Sequence, residues 1–448
     1  MIRAPRRGGP AAGSGFGLAN GARAFRHRNY RLFFAGQLIS LVGTWMQSVA
    51  QAWLVLQMTG DPFLLGLVSA VQFLPVLILG LFGGLIADSL PKRQTLVATQ
   101  TIQMLLAFAL FALVATGRVE VWHIVVLAAL LGITNAVDMP TRQAFVVEMV
   151  GRGDIANAVA LNSAVFNTAR IVGPAVAGLT IGAFDISVAF LLNGLSFLAV
   201  IFGYGLMRAE ELLTPVRLQR PSSVRDVGTT LAEGLRYVRR TDLVLLATVV
   251  VGVASTFGMN FGVIIPPLAD DVLHVGATGF GFLMAASGIG SLAAALWIAF
   301  SARSRVWVIA DGATLLGVAS IAIAVIQVFP LAMVAMAFIG FGAIGMAATA
   351  NTTVQLNVPD ELRGRVISVY TTVFAGTTPI GGLLMGWIAS RFGVDVSLAA
   401  GGVACVVTGV VAFAWLRRIR ARQAMAAKAE ALKGVAEPEA VRVPARPG

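Results

Sequence analysis

Few side chains in this sequence can do chemistry inside an apolar environment, and they lie far apart. Asp138 and Arg142 are four residues apart, a spacing that lets a carboxylate and a guanidinium pair on one helix face, although Pro140 distorts the turn between them. Asp88 closes an apolar run and is followed by Pro91 and the adjacent cations Lys92 and Arg93. It is ionised at pH 7, and a carboxylate near a helix N-terminus is favoured by roughly 0.3–1 kcal/mol. Arg170 is the one basic residue deep within an apolar run, roughly 22 Å past the helix start at 1.5 Å per residue. A charge at that depth is expensive, so it should face a cavity or a partner. Two readings of Arg170 stay open: an anion-attracting or coupling site, or an arginine held by nearby carbonyls or reaching to the far surface. Asp311, near the start of a later run, is the nearest acidic candidate for carrying a proton. Nothing points to an enzyme or to a bound metal or cofactor. His27, His123 and His274 are scattered, Cys405 is the single cysteine, no nucleophile–base–acid set is present, and no phosphate-cradling Gly-x4-Gly-Lys-Ser/Thr loop occurs.

These residues must be positioned by membrane-spanning helices. The chain of 448 residues is 57% hydrophobic and 12% charged, where soluble domains carry roughly 25% charged residues; its mean hydropathy is +0.84. Twelve apolar segments, each near the ~20 residues a bilayer requires, lie at about 31–57, 63–87, 95–116, 121–146, 155–182, 186–207, 243–268, 277–300, 306–327, 331–355, 363–390 and 394–416. The longest break, 208–242, is rich in arginine and contains a stretch with helical spacing, 223–240, expected to lie on the membrane surface. The expected fold is all-α: twelve transmembrane helices in two six-helix bundles, 29–207 and 243–418. The cytoplasmic linker 208–242 joins them, and disordered tails 1–28 and 419–448 flank them. No signal peptide is visible in the basic, Gly/Pro-rich opening.

The net charge of +12 could suggest a nucleic-acid partner, but its distribution argues against one. Of the 33 Lys and Arg, all but Arg118, Arg170 and Arg391 fall in the tails, in the linker or in alternate loops. That asymmetry places both termini in the cytoplasm of a multi-pass protein of the cell (inner) membrane. The halves also show weak internal similarity, in the basic stretches after segments 4 and 10 and in the prolines that follow, Pro174 and Pro379. Parallel repeats of this kind are the signature of two bundles rocking about a midplane site.

The stretch 83–93 resembles the loop motif of the major facilitator superfamily, Gly-x-Leu-Ala-Asp-Arg-x-Gly-Arg-Arg. It matches at Gly84, Asp88, Lys92 and Arg93 and departs at Ile86, Ser89 and Pro91. The runs 138–145, 157–163, 170–174 and 359–368 resemble one subgroup, which includes the enterobactin exporter and macrolide-efflux proteins, and the likeness spans about 24–418. The resemblance implies a cytoplasmic gate in which, in the outward-facing state, Asp88 meets residues 361–366, with Arg142 bridging. Gly84, Lys92, Arg93, Asp138, Arg363 and Arg365 belong to the same gate. It also implies a substrate cavity walled by segments 1, 4, 7 and 10. Trp45, Gln47, Gln51, Asn135, Phe257, Asn260 and Met346 are the candidates there, with Asn162 and Asn167 from segment 5. Such a set describes an amphipathic, weakly charged cavity suited to hydrophobic or aromatic solutes. In segment 5, Gly173, Pro174 and Gly178 resemble an antiporter motif in which Ala160, Ala169 and Ala177 replace glycines; ordinary tight packing explains the same residues. The arginine that many drug/proton antiporters carry in helix 4 has no counterpart in 128–135. The expected function is export of lipophilic small molecules, drug or siderophore-like, by alternating access, with proton antiport implied by the resemblance. Uptake of an organic anion anchored at Arg170 and a non-transporting membrane sensor or scaffold remain alternatives.

Overall fold

A computed structural model describes residues 22–213, 224–301 and 305–436, with the side chains of 80–89, 224–231 and 426–436 left out. The expected gate residues Gly84 and Asp88 therefore lie outside the described side chains. All regular structure among the described residues is helical.

The spans follow the apolar segments. They are α1 (Arg28–Thr59), α2 (Pro62–Ser89), α3 (Lys92–Ala115), α4 (Val121–Ala183) and α5 (Ile186–Gly205) before the linker helix α6 (Val224–Arg240). After it come α7 (Asp242–Gly258), α8 (Phe261–Pro267), α9 (Gly276–Phe300), α10 (Trp307–Ile326), α11 (Phe329–Leu356), α12 (Asp360–Phe392) and α13 (Val394–Ala436). Eleven of the described helical stretches are long and apolar enough to cross a membrane, counting Asp242–Val272 as one. The 63 residues of α4 would reach ~95 Å at 1.5 Å each, about three times a bilayer's ~30 Å core. Gly151 resolves the excess: its φ of 70° and ψ of 175° break the helical path and divide α4 into two arms, each of span length. Only glycine takes such a conformation without strain.

The seventh expected segment is also interrupted. Met259 and Asn260 leave helical geometry between α7 and α8, and a π-helical turn, Leu268–Val272, follows Pro266 and Pro267. The Asn260 side chain donates to the Thr256 carbonyl at 2.7 Å, satisfying an acceptor that the interruption frees. Within the stretch expected as a leading tail, Arg23–Arg26 forms a 3-10 turn with Ala24 fully buried.

Packing follows the order of the chain. Before the linker, α1 packs on α4 and α5, α2 on α4, and α3 on α4 and α5; after it, α9 packs on α11, and α10 on α11 and α13. Two seams join these groups, α2 against α12 and α4 against α9. Both run through bare backbone. A Cβ on Gly386 would stand 2.7 Å from the Pro62 carbonyl, and one on Gly178 would stand 2.9 Å from the Ala277 carbonyl. Thr278 donates to the Gly178 carbonyl at 3.1 Å. Trp53 stacks on Phe280 nearby, with ring centroids 6.1 Å apart. Pro62 and Ala277 stand at the starts of α2 and α9, and Gly386 and Gly178 near the ends of α12 and α4.

Candidate functional site

The densest polar cluster lies inside the first group of helices. Asp138 is completely buried. Its carboxylate accepts from Thr99 Oγ1 at 2.7 Å and Gln100 Nε2 at 2.9 Å, both from α3, and pairs with Arg142 one turn along α4. Pro140 does not prevent the pairing. Arg142 Nη1 donates to Gln37 Oε1 of α1 at 3.0 Å, and Gln37 in turn reaches the Tyr204 hydroxyl of α5 at 3.5 Å. Four helices are thus tied by one carboxylate and one guanidinium. Removing either partner strands the other in a dry interior, a loss of roughly 3–5 kcal/mol.

A second buried pair joins α3 to the end of the first α4 arm, Lys92 Nζ to Glu148 Oε1 at 2.7 Å. Lys92 stands on the first residue of α3, where the helix dipole disfavours a cation, and Glu148 compensates. Arg93 donates to the carbonyls of Tyr204 at 2.7 Å and Gly205 at 2.9 Å, capping the C-terminus of α5. Just past the Gly151 break, Asp154 is 1% exposed and holds Arg26 at 2.5 Å, His27 Nε2 at 2.9 Å and Arg23 at 3.5 Å. Sequence reasoning missed Glu148, Asp154, Tyr30 and Tyr204 as partners. Of these, only Asp154 carried a local signal, a lone acid beside a glycine break.

The described gate residues stay on their own sides of the linker. Arg142 faces Asp138 and Gln37, whereas Arg363 pairs with Asp360 at 2.5 Å and Arg365 pairs with Glu233 of α6. Gly234 lies against the Arg365 carbonyl, so the linker helix, and not Arg142, packs on residues 361–366.

The expected cavity residues divide into two groups. Several are spent between helices: Gln47 accepts from Asn193 at 2.5 Å, Gln51 donates to Gln72 at 3.3 Å, and Asn135 accepts from Gln103 at 3.3 Å. Met346 is fully buried, and its Cβ lies against Gly312 of α10. Asn260 is buried at the α7–α8 interruption, and Phe257 is half-buried against the core beside it. Asn162, Asn167 and Trp45 behave differently. A cavity of about 440 Å³ opens between the two arms of α4, lined by Gln143, Val159, Asn162, Ser163, Phe166 and Asn167 among others. Phe166 meets Trp45 edge to face at 5.7 Å, and the Arg170 guanidinium carbon stands 6.0 Å from the Trp45 ring centre.

Gly173 lets this arrangement form, because a Cβ there would meet the Trp45 Cβ at 2.5 Å. The glycine of the antiporter-like stretch therefore brings α1 onto α4, while Pro174 and Gly178 face the seam with α9. Arg170 makes no hydrogen bond or ion pair among the described residues, only the Trp45 contact. A cation over an aromatic face gains about 0.5–2 kcal/mol, whereas an arginine at mid-bilayer costs about 2.5–3.5 kcal/mol on insertion scales. The ring alone does not satisfy it. Asp311 is no partner: it is exposed on α10, a helix that packs on α11 and α13.

Comparison with known proteins gives the family. The profile described as "transmembrane secretion effector" matches residues 20–447. The chain is 30% identical over 400 residues to the multidrug efflux pump Tap of Mycolicibacterium fortuitum, covering 87% of this chain and 96% of that one. It is 25% identical over 401 residues to the staphyloferrin A transporter of Staphylococcus aureus, covering 87% and 97%. Among solved structures, it is similar to a bacterial homolog of the human lysosomal transporter Spinster in its inward-facing, occupied conformation. The TM-score is 0.70 at 12% identity, over 87% of this chain and 97% of that chain, a likeness of fold. The chain belongs to the transmembrane secretion effector family of major facilitator superfamily transporters.

Proposed function

We propose that this transporter exports lipophilic small molecules across the cell (inner) membrane by alternating access. The observation that carries the reading is the cavity between the arms of α4, lined by Phe166, aliphatic side chains and uncharged amides. Such a lining takes up a hydrophobic or aromatic solute and offers little to a sugar or a phosphate. Two six-helix bundles with both termini cytoplasmic make the α2–α12 and α4–α9 seams an extracellular seal. The described conformation is then open toward the cytoplasm, the side from which an exporter loads. The relatives named for drug efflux and staphyloferrin A support a small-molecule cargo.

Proton antiport is the driving mode we infer, on the likeness of the Gly173–Pro174 stretch to the antiporter motif. The test is efflux of preloaded Nile red, a neutral lipophilic dye, from cells overexpressing the protein, with and without an uncoupler. Efflux abolished by the uncoupler is the expected result. Efflux indifferent to it removes the antiport, accumulation turns the direction to uptake, and neither leaves a sensor or scaffold.

A further inference from the structure

Arg170 stands about one helical turn beyond the lining of the cavity and carries a charge that a pocket for neutral solutes does not need. Ser163, Phe166, Asn167 and Arg170 are spaced along one face of the second α4 arm, and the first three line the cavity. The guanidinium stands over Trp45. A guanidinium 6.0 Å from a ring centre spends no N–H on that contact and keeps its planar edge for a bidentate acceptor. No carboxylate among the described residues meets that edge: Asp138 is taken by Arg142, and Asp154 by Arg23, Arg26 and His27. Asp311 belongs to another helix group. Asn162, which lines the same space, is tied to the Tyr30 hydroxyl at 3.0 Å, and that hydroxyl also reaches the Ala158 carbonyl at 2.9 Å. Beside the guanidinium, the edge-to-face rings of Trp45 and Phe166 offer a surface for a flat apolar group.

We infer that the cavity between the arms of α4 is a subsite for an aromatic or conjugated carboxylate, its anion held by Arg170 and its ring by Trp45 and Phe166. This rests on the export reading above and names its substrate class: organic anions in preference to lipophilic cations. A cation entering this cavity meets a like charge and no carboxylate among the described lining residues.

The test uses the full chain reconstituted in proteoliposomes with a proton gradient and three dyes: fluorescein, an aromatic carboxylate; ethidium, an aromatic cation; and Nile red. Fluorescein should move faster than ethidium, and Arg170→Gln should lower the fluorescein-to-Nile red ratio about tenfold, with partial recovery in Arg170→Lys. Ethidium moving faster than fluorescein overturns the inference and leaves export standing, as does a ratio unchanged in Arg170→Gln. If no dye moves, the export reading fails and takes the inference with it. Should Arg170→Gln fail to reach the membrane, wild-type competition decides: fluorescein must inhibit Nile red export at lower concentration than ethidium does, and the reverse order overturns the proposal.

Discussion

The two arms of α4 treat their charges in opposite ways. In the first, Asp138 is fully buried and held by Thr99, Gln100 and Arg142, and Arg142, 23% exposed, reaches on to Gln37. In the second, Arg170 has one aromatic ring and an open cavity. A buried charge that is fully paired works as architecture. One left unpaired at similar cost needs something that arrives and leaves. The first arm holds helices together, and under the proposed function the second is the one that meets cargo.

The largest expected effect is in the first arm. Asp138→Asn removes the charge that balances Arg142, and unfolding in detergent should show a loss of about 3–5 kcal/mol. Arg142→Met alone should cost a similar amount, and the double variant Asp138→Leu/Arg142→Met should recover part of it. A double variant no better than the sum of its singles would break the assignment of this pair to architecture.

The seams rank second. Gly178→Val places a branched side chain 2.9 Å from the Ala277 carbonyl and 3.1 Å from Gly281 Cα, both backbone. Overpacking of this kind costs about 1–3 kcal/mol. If the seam opens during the alternating access proposed above, transport should fall further than stability. Equal dye efflux from this variant and wild type would show that the seam tolerates the bulk.

Much of this contrast was legible in the sequence, for reasons that differ by residue. The four-residue spacing of Asp138 and Arg142 announced their pairing, whereas the depth of Arg170 left a cavity and nearby carbonyls both open as its surroundings. Twelve apolar segments announced the spans, and the break between 121–146 and 155–182 is the one that Gly151 makes in α4. The face each segment turns inward was not legible. A helix apolar all round has no periodic stripe to give its rotation. Gln47 and Met346 were therefore expected in the cavity, yet one bonds Asn193 and the other is buried against α10. Long-range pairs such as Lys92–Glu148 and Arg26–Asp154 were hidden too, because nothing local specifies which loop cation finds which acid.

A sharper test of the contrast concerns stability without transport. If Arg170 is an uncompensated charge kept for cargo, Arg170→Gln should leave unfolding unchanged or raise stability by about 1 kcal/mol while organic-anion export falls, the trade-off expected where a site is strained for function. The same exchange in the first arm, Arg142→Gln, should lower stability. Opposite signs for the two arginines support the division of labour; a shared loss would make Arg170 a packing residue like its neighbour.

The smallest effect belongs to the exposed counterpart of these charges, where α6 meets α12. Arg365 and Glu233 pair with 43% and 45% of their side-chain surfaces open to solvent. Water competes for both groups, so Arg365→Ala should cost only about 0.2–1 kcal/mol, and less as salt is raised. Gly234 against the Arg365 carbonyl and the Tyr237 hydroxyl on the Asn357 carbonyl at 2.8 Å fasten the same contact without charge. Tyr237→Phe should therefore weaken the docking of α6 by an amount that salt does not change. If high salt released α6 in the wild type, read as faster hydrogen exchange of its backbone amides, the ion pair would outrank the backbone contacts. Charge would then hold this surface joint as it holds the first arm of α4.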